Sequence, residues 1–204
     1  MINPWLTIKY SDYENHMFEV GQAQILNKLT DYYLKEFKPA NLALIGCATG
    51  NGLEYIDNKI TKNVYAIDIN PDYLHQTKIR FENKIKNLTL CCMDLQSDTL
   101  CFSNIDMAFC GLIFEYVEPK KVLKNISEVM NEHGKIVIII QNNKKTSFVT
   151  DTGYHSLEQL SKIAKEISGR RIISICKSLK LNMIDQRKIQ LHEKKNFVVL
   201  VFEK

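Results

Sequence analysis

This sequence is poor in chain breakers and in the patterns that mark special compartments. Among its 204 residues are four prolines, eight glycines and one tryptophan. No Pro/Gly/Ser linker, repeat or low-complexity stretch divides it, so a single domain over residues 1–204 is expected. Apolar runs are short, as in Ile136–Ile140, far below the roughly 18 residues of a membrane-spanning helix. The opening Met1-Ile2-Asn3-Pro4-Trp5 has neither a basic nor an apolar region of a signal peptide, so a cytoplasmic location is expected. The six cysteines include no C-x-x-C pair. The neighbours Cys91 and Cys92 would point to opposite faces of a strand, a poor geometry for one metal. Reduced thiols and no metal site are the expectation.

Charge is close to balanced, 27 basic against 23 acidic residues, a net of +4. Residues 1–100 carry 10 bases and 12 acids, and residues 101–204 carry 17 and 11. The basic pairs Lys120-Lys121, Lys144-Lys145, Arg170-Arg171, Arg187-Lys188 and Lys194-Lys195 are scattered. They read as solvated faces rather than the dense stripe that nucleic acid demands.

What is present is a regular alternation. Ser11 and Glu14 fit a capping box opening a helix, with apolar positions from Met17 to Tyr33 at helical spacing, a possible break at Gly21 and a stop at Pro39. Short continuous apolar runs then alternate with helical stretches. The runs are Leu42–Ile45, Val64–Ile67, Leu88–Met93, Ile105–Cys110 and Lys135–Ile140. The helices are expected near Gly52–Asn58, from Pro71 to Phe81, and from Pro119 to about Asn131, with an exit at Glu132-His133-Gly134. Apolar strands of this kind are buried on both faces, as in a parallel α/β sheet. The last quarter differs. Residues 156–180 read as helix, broken near Ser168-Gly169, and Asn182–Leu191 and Phe197–Phe202 read as a hairpin around the polar tip His192–Asn196. At least one strand therefore runs antiparallel.

Chemistry concentrates after the first strand, in Gly46-Cys47-Ala48-Thr49-Gly50-Asn51-Gly52. A glycine-rich turn between a buried strand and a helix lets backbone approach a ligand closely, or simply makes a tight packing turn. Asp68 ends the second strand, 22 residues beyond Gly46, a spacing that suits a ribose diol. Asp94 follows the third strand and either meets an adenine edge or caps a helix. Asp106 starts the fourth. These positions are expected on the sheet edge where α/β proteins bind ligands.

These motifs, with Ile105-Asp106-Met107-Ala108-Phe109-Cys110-Gly111, resemble the successive motifs of class I S-adenosylmethionine-dependent methyltransferases over residues 40–142. The resemblance implies a Rossmann-like seven-stranded sheet in the order 3-2-1-4-5-7-6, strand 7 antiparallel, helices on both faces. It implies an N-terminal helical cap over 1–38 and a core over 40–204. It implies S-adenosylmethionine as cofactor and S-adenosylhomocysteine as product. Gly46, Cys47, Ala48 and Gly50 would line the methionine and ribose side. Asp68 would hold the ribose and Ile69 pack on adenine. Asp94 and Leu95 would meet the adenine edge, and Cys110 and Gly111 would flank the sulfonium. Two positions depart from the pattern. Leu44 stands where the family often has an acid, and Tyr10, Tyr13 or His16 is the expected substitute. Ala48 stands at the usual second glycine, which is tolerable with φ below zero. A dinucleotide template fits the Gly46, Gly50, Gly52 spacing poorly.

Methyl transfer from a sulfonium needs proximity, orientation and a dry site, with a base only where the acceptor must lose a proton. Neither Asn/Asp-Pro-Pro-aromatic nor a Pro-flanked cysteine follows strand four, where Phe109-Cys110-Gly111-Leu112 stands. Base-amine and cytosine-C5 chemistry are disfavoured, and Cys110 reads as pocket lining. A small-molecule acceptor is expected, without membrane or nucleic-acid partner, for a monomer or homodimer. RNA or protein methylation and a non-catalytic cofactor-binding subunit are the alternatives. Tyr13, His16 and Tyr116 are the candidate substrate residues, with Met17, Gln141-Asn142 and Tyr154-His155 beside them. His16 and Glu115 are the candidate bases, against readings as a capping or surface histidine and an exposed helix residue. Tyr13, Tyr116 and Tyr154 form a lid or pack in the core.

Overall fold

The strands and helices follow from where the apolar residues fall. A computed structural model describes residues 3–143 and 146–204. The Lys144-Lys145 pair and the first two residues of the expected non-signal N-terminus lie outside the described residues. Seven strands form one sheet: β1 (Asn41–Ile45), β2 (Asn63–Asp68), β3 (Leu88–Cys92), β4 (Ile105–Gly111), β5 (Met130–Asn143), β6 (Asn182–His192) and β7 (Lys195–Glu203). Their order is β3-β2-β1-β4-β5-β7-β6, with β7 antiparallel to both neighbours and every other pairing parallel. This is the order and polarity that the family resemblance implied.

The central strands alternate between two apolar layers. Leu42, Leu44, Met107, Phe109, Val137 and Ile139 face α2 (Gln22–Phe37) and α3 (Pro71–Phe81). Ala43, Ile45, Ala108, Cys110, Ile136 and Ile138 face α4 (Pro119–Val129) and α6 (Gly169–Ser178). Burial on both faces is why these strands read as continuous apolar runs. Prolines at the first turns of α3 and α4 fit their fixed φ, and Asn70 and Glu118 cap those helices.

Several local expectations are corrected. The first helix, α1 (Tyr10–Glu19), starts at Tyr10 after Lys9, with no side-chain cap. The Ser11/Glu14 box does not form, because the Glu14 carboxylate is drawn to Arg80 and Thr49. Gly21, at φ +73, does split α1 from α2. The helix expected over Gly52–Asn58 shrinks to one 3-10 turn at Leu53–Tyr55, since Gly50 and Gly52 both hold left-handed φ. The helix expected to reach Asn131 ends at Val129, and the Glu132–Gly134 exit lies instead within β5, bent by left-handed His133. The tip of the last hairpin is narrower than expected. Lys195 and Asn196 are buried, not solvated.

A third apolar cluster sits over the carboxyl end of the sheet. Ile8, Tyr73, Leu157 and Leu160 are buried there, with Trp5, Tyr13, Tyr116 and Tyr154 packed against them. It brings the N-terminal segment onto α5 (Glu158–Ile163) and the loop before it. Among the described residues no helix is long and apolar enough to cross a membrane.

Candidate active site

The carboxyl ends of β1, β2 and β4 open onto one cavity beneath that cluster. Gly46, Ala48, Asp68, Ile69, Asp94 and Leu95 line it, and so does Gly111. Four chain segments separated by up to 65 residues thus meet at one edge, as parallel strands allow.

Asp68 is the buried charge of the cavity. The Ala48 N–H donates to its Oδ2 at 2.8 Å and the Asn70 N–H to its Oδ1 at 2.9 Å. Burial nevertheless outweighs these donors and pushes its pKa up to about 6. Each oxygen keeps a lone pair for a hydroxyl donor. The Asp94 Oδ1 accepts from the Gln96 N–H at 2.9 Å, so it caps its own turn while lining the cavity.

Backbone strain at an alanine marks the glycine loop. Ala48 adopts φ +47, not the negative φ expected of an alanine. Two bonds hold it there: its N–H to Asp68, and its carbonyl, which accepts from Thr77 Oγ1 at 3.1 Å. Gly46, at φ +68, leaves no slack, because an added Cβ would lie 3.2 Å from Ile113 Cδ1.

Two expected lining residues sit elsewhere. Cys110 is fully buried in the layer facing α4 and α6, because alternation along β4 turns it away from the α2 side. Asp106 lies at the opposite edge, since a residue that starts a parallel strand cannot share the edge where its neighbours end. There it accepts from Asn41 N at 2.8 Å and from Asn131 Nδ2 at 2.6 Å. Cys47 lines a second cavity that joins the first at Tyr13, Gly46, Ala48 and Gly111, and Gly50 lines the second as well.

A third, smaller cavity continues from Trp5, Tyr13, Leu112 and Tyr116 to His16, Gln22 and Gln141. Its walls are aromatic. Trp5 meets Tyr13 at 5.7 Å and Tyr116 at 4.9 Å between centroids, both edge-on, a favoured geometry. The Tyr13 and Tyr116 hydroxyls are held protonated by burial. Its far end is polar and uncharged. Gln22 Nε2 donates to Gln141 Oε1 at 2.6 Å, and Gln141 Nε2 to the Phe148 carbonyl at 2.9 Å. His16 is buried, neither a cap nor a surface residue, with Nδ1 2.7 Å from Thr152 Oγ1. Burial, helped by the Lys195 charge, lowers its pKa, so it is neutral near pH 7. Lys195 itself is 3% exposed, donates to Phe148 O and Thr150 Oγ1, and has its pKa lowered by burial to about 8.

Glu115 differs from both of its expected readings. It is fully buried, not exposed, and it lines none of these cavities. Its Oε1 accepts from the Gln141 N–H at 2.6 Å and its backbone carbonyl accepts from Lys165 N. Burial raises its pKa to about 7. It clamps the loop after β4 to the end of β5, a positioning role. Tyr154 and His155 are also outside these cavities, bonded to Glu19 and Glu158 at the surface.

The first cavity suits a nucleoside. It offers a carboxylate for a diol, apolar flanks for a flat ring and two buried polar groups, Trp5 Nε1 and Tyr73 Oη, without a partner among the described residues. Among the described residues no cluster could hold a metal ion. Sequence reasoning missed Trp5 and Tyr73 as lining residues of the first cavity and Glu14 as one of the second. Only the placement of Trp5 and Glu14 in a segment otherwise read as a cap hinted at them.

Residues 44–138 match a family model described as a methyltransferase domain. No curated protein sequence matches. Among solved structures, the N-methyltransferase NodS from Bradyrhizobium japonicum WM9 superimposes with a TM-score of 0.66 at 16% identity, covering 92% of this chain and 96% of that one. The plantazolicin methyltransferase BpumL, solved with SAH, gives 0.67 at 14% identity, covering 95% and 89%. The [4+2]-cyclase SpnF gives 0.68 at 11% identity, covering 87% and 81%. At such identities the likeness speaks for the fold, and the same fold carries more than one named reaction.

Proposed function

We propose that this chain is a class I S-adenosylmethionine-dependent methyltransferase, a reading supported by the methyltransferase-domain match over residues 44–138, and that it methylates a small-molecule acceptor by in-line displacement. S-adenosylmethionine is the cofactor and S-adenosylhomocysteine the product. When bound, the cofactor supplies a methyl group already activated on a sulfonium, so the protein's task is placement and exclusion of water.

One observation carries the reading: the cavity holding Asp68 joins an aromatic cavity ending in His16, Gln22 and Gln141. In this reading Asp68 takes the ribose hydroxyls, while Ile69 and Leu95 flank the adenine, with Asp94 at its edge. Gly46, Ala48 and Gly111 let the backbone come close. Cys47 and Gly50 stand along the methionine side. Tyr13 and Tyr116 separate the two cavities and orient the acceptor beside the reacting carbon. His16, kept neutral, takes the proton from an acceptor that must lose one. Residues 1–38 act as the cap of a single domain, and the free thiols fit a cytoplasmic setting. The lining of the acceptor cavity favours a compact, largely apolar acceptor, such as an aromatic amine or phenol, over RNA or a protein side chain.

The test is a panel of small amines, phenols and carboxylic acids incubated with S-adenosylmethionine, reading S-adenosylhomocysteine release and product mass. Transfer to uncharged aromatic acceptors, lowered by His16→Gln with cofactor affinity kept, is expected. Transfer confined to RNA or protein would overturn the acceptor assignment.

A further inference from the structure

The second cavity raises a question that the glycine loop does not answer. It runs between α1, α2 and α3, and Leu44 lines it where an acid would otherwise stand. Leu44 is buried and offers no charge. Four charged residues do line this cavity: Glu14, Glu54, Arg80 and Lys84. Glu54 is occupied by Asn27 Nδ2 and the Gly52 N–H. Lys84 lies over the Phe81 ring, 5.6 Å from its centroid.

Glu14 and Arg80 are different, since they come from α1 and α3 to meet beside the glycine loop. Arg80 Nη2 donates to Glu14 Oε2 at 2.9 Å, and Arg80 Nη1 and the Thr49 hydroxyl both donate to Oε1. The side chains stay 31% and 37% exposed, so both are reachable by a ligand. Glu14 retains unused acceptor capacity, and Arg80 retains unused N–H groups.

The amino-acid end of S-adenosylmethionine and S-adenosylhomocysteine is a zwitterion, an α-ammonium beside an α-carboxylate. A carboxylate and a guanidinium held side by side offer each of those charges its opposite. We propose that the Glu14–Arg80 pair, fixed by Thr49, receives this amino-acid end, with Glu14 taking the ammonium and Arg80 the carboxylate. The anchor that β1 lacks at Leu44 is thereby supplied by α1. The inference rests on the cofactor assignment above.

The experiment compares calorimetric binding of S-adenosylhomocysteine, 5′-methylthioadenosine, which lacks the amino-acid end, and the decarboxylated analogue, which keeps only the amine. Glu14→Gln and Arg80→Gln should each weaken S-adenosylhomocysteine about tenfold or more, the loss of a charge-assisted contact. Methylthioadenosine should bind both variants as it binds the parent, which also reports that they are folded. The decarboxylated analogue should feel Glu14→Gln but not Arg80→Gln. Unchanged affinity for S-adenosylhomocysteine, or an equal loss for all three ligands, would overturn the proposal. Failure of the parent to bind either nucleoside would overturn the cofactor assignment, and the proposal with it.

Discussion

The two ends of the joined cavities are built in different ways. The end proposed to take the nucleoside comes from short segments that each follow a strand: Gly46–Gly52, Asp68–Ile69, Asp94–Leu95 and Gly111. Of its defining bonds, that from Ala48 N to Asp68 depends on the register of β1 and β2, and that from Asn70 N is local to the turn after β2. The end proposed for the acceptor is assembled across the chain. His16 meets Thr152, Gln22 meets Gln141 and Ser156 meets Asp12, each pair more than 100 residues apart. In the proposed reading, local loops hold the cofactor and tertiary packing builds the acceptor pocket. Changes at the nucleoside end should therefore act on cofactor affinity and loop stability, and changes at the acceptor end on transfer and on how the far segments are held.

The largest stability effect is expected in the loop. Gly52 holds φ +95, and an added Cβ would lie 2.6 Å from Thr30 Cγ2. Gly52→Ala should cost about 4 kcal/mol from strain and overlap together. Denaturant unfolding measures it, and Thr30→Ala in the same chain should restore part of the loss. If Thr30→Ala restores nothing, the overlap is not the cause.

Glu115 tests the clamp that holds Gln141, a lining residue of the third cavity, on the end of β5. A carboxyl whose pKa is raised on folding holds its proton more tightly folded than unfolded. Stability is then fully present below the ordinary value of 4.5 and falls as pH climbs to about 7. Glu115→Gln removes the ionisation and keeps an oxygen for the Gln141 N–H. It should stabilise the protein at pH 8 by up to about 3 kcal/mol, at about 1.4 kcal/mol per pKa unit. Melting curves of both proteins from pH 4 to 8 should converge at the acid end. Parallel curves would show that Glu115 is not the titrating group.

Much of this division was legible in advance. The alternating strands, an antiparallel strand in the last hairpin and the loop-borne residues Gly46, Asp68 and Asp94 follow from strand periodicity and spacing, while the sheet order and the reversal of β7 come from the family resemblance. Cys110 misled because a motif reads as a string while a strand alternates its faces. Asp106 misled because a strand has two ends and only one borders the cavity. Glu115, Lys195 and Glu14 were illegible for a single reason: charged residues look solvated until distant segments cover or pair them. Ala48 at positive φ was the reverse case, a local rule overridden by bonds to Asp68 and Thr77.

His16 separates the two ends kinetically. His16→Gln should lower transfer to a proton-losing acceptor about hundredfold while leaving affinity for S-adenosylhomocysteine within about twofold. An equal drop in both would place His16 at the nucleoside end. The smallest effect belongs to Ala48. Ala48→Gly should stabilise by about 1 kcal/mol, because glycine adopts φ +47 without the penalty an alanine bears. A loss of stability in thermal unfolding would show that the left-handed turn costs this alanine nothing.

The central claim is that Asp68 and its loop hold the nucleoside of S-adenosylmethionine. Calorimetric titration of the parent protein and Asp68→Ala with S-adenosylhomocysteine, with NAD as control, tests it most directly. The account predicts micromolar binding of S-adenosylhomocysteine that weakens as pH falls through about 6, where Asp68 takes up a proton, and that is lost in Asp68→Ala. Binding that survives Asp68→Ala, or NAD binding more tightly than S-adenosylhomocysteine, would contradict it.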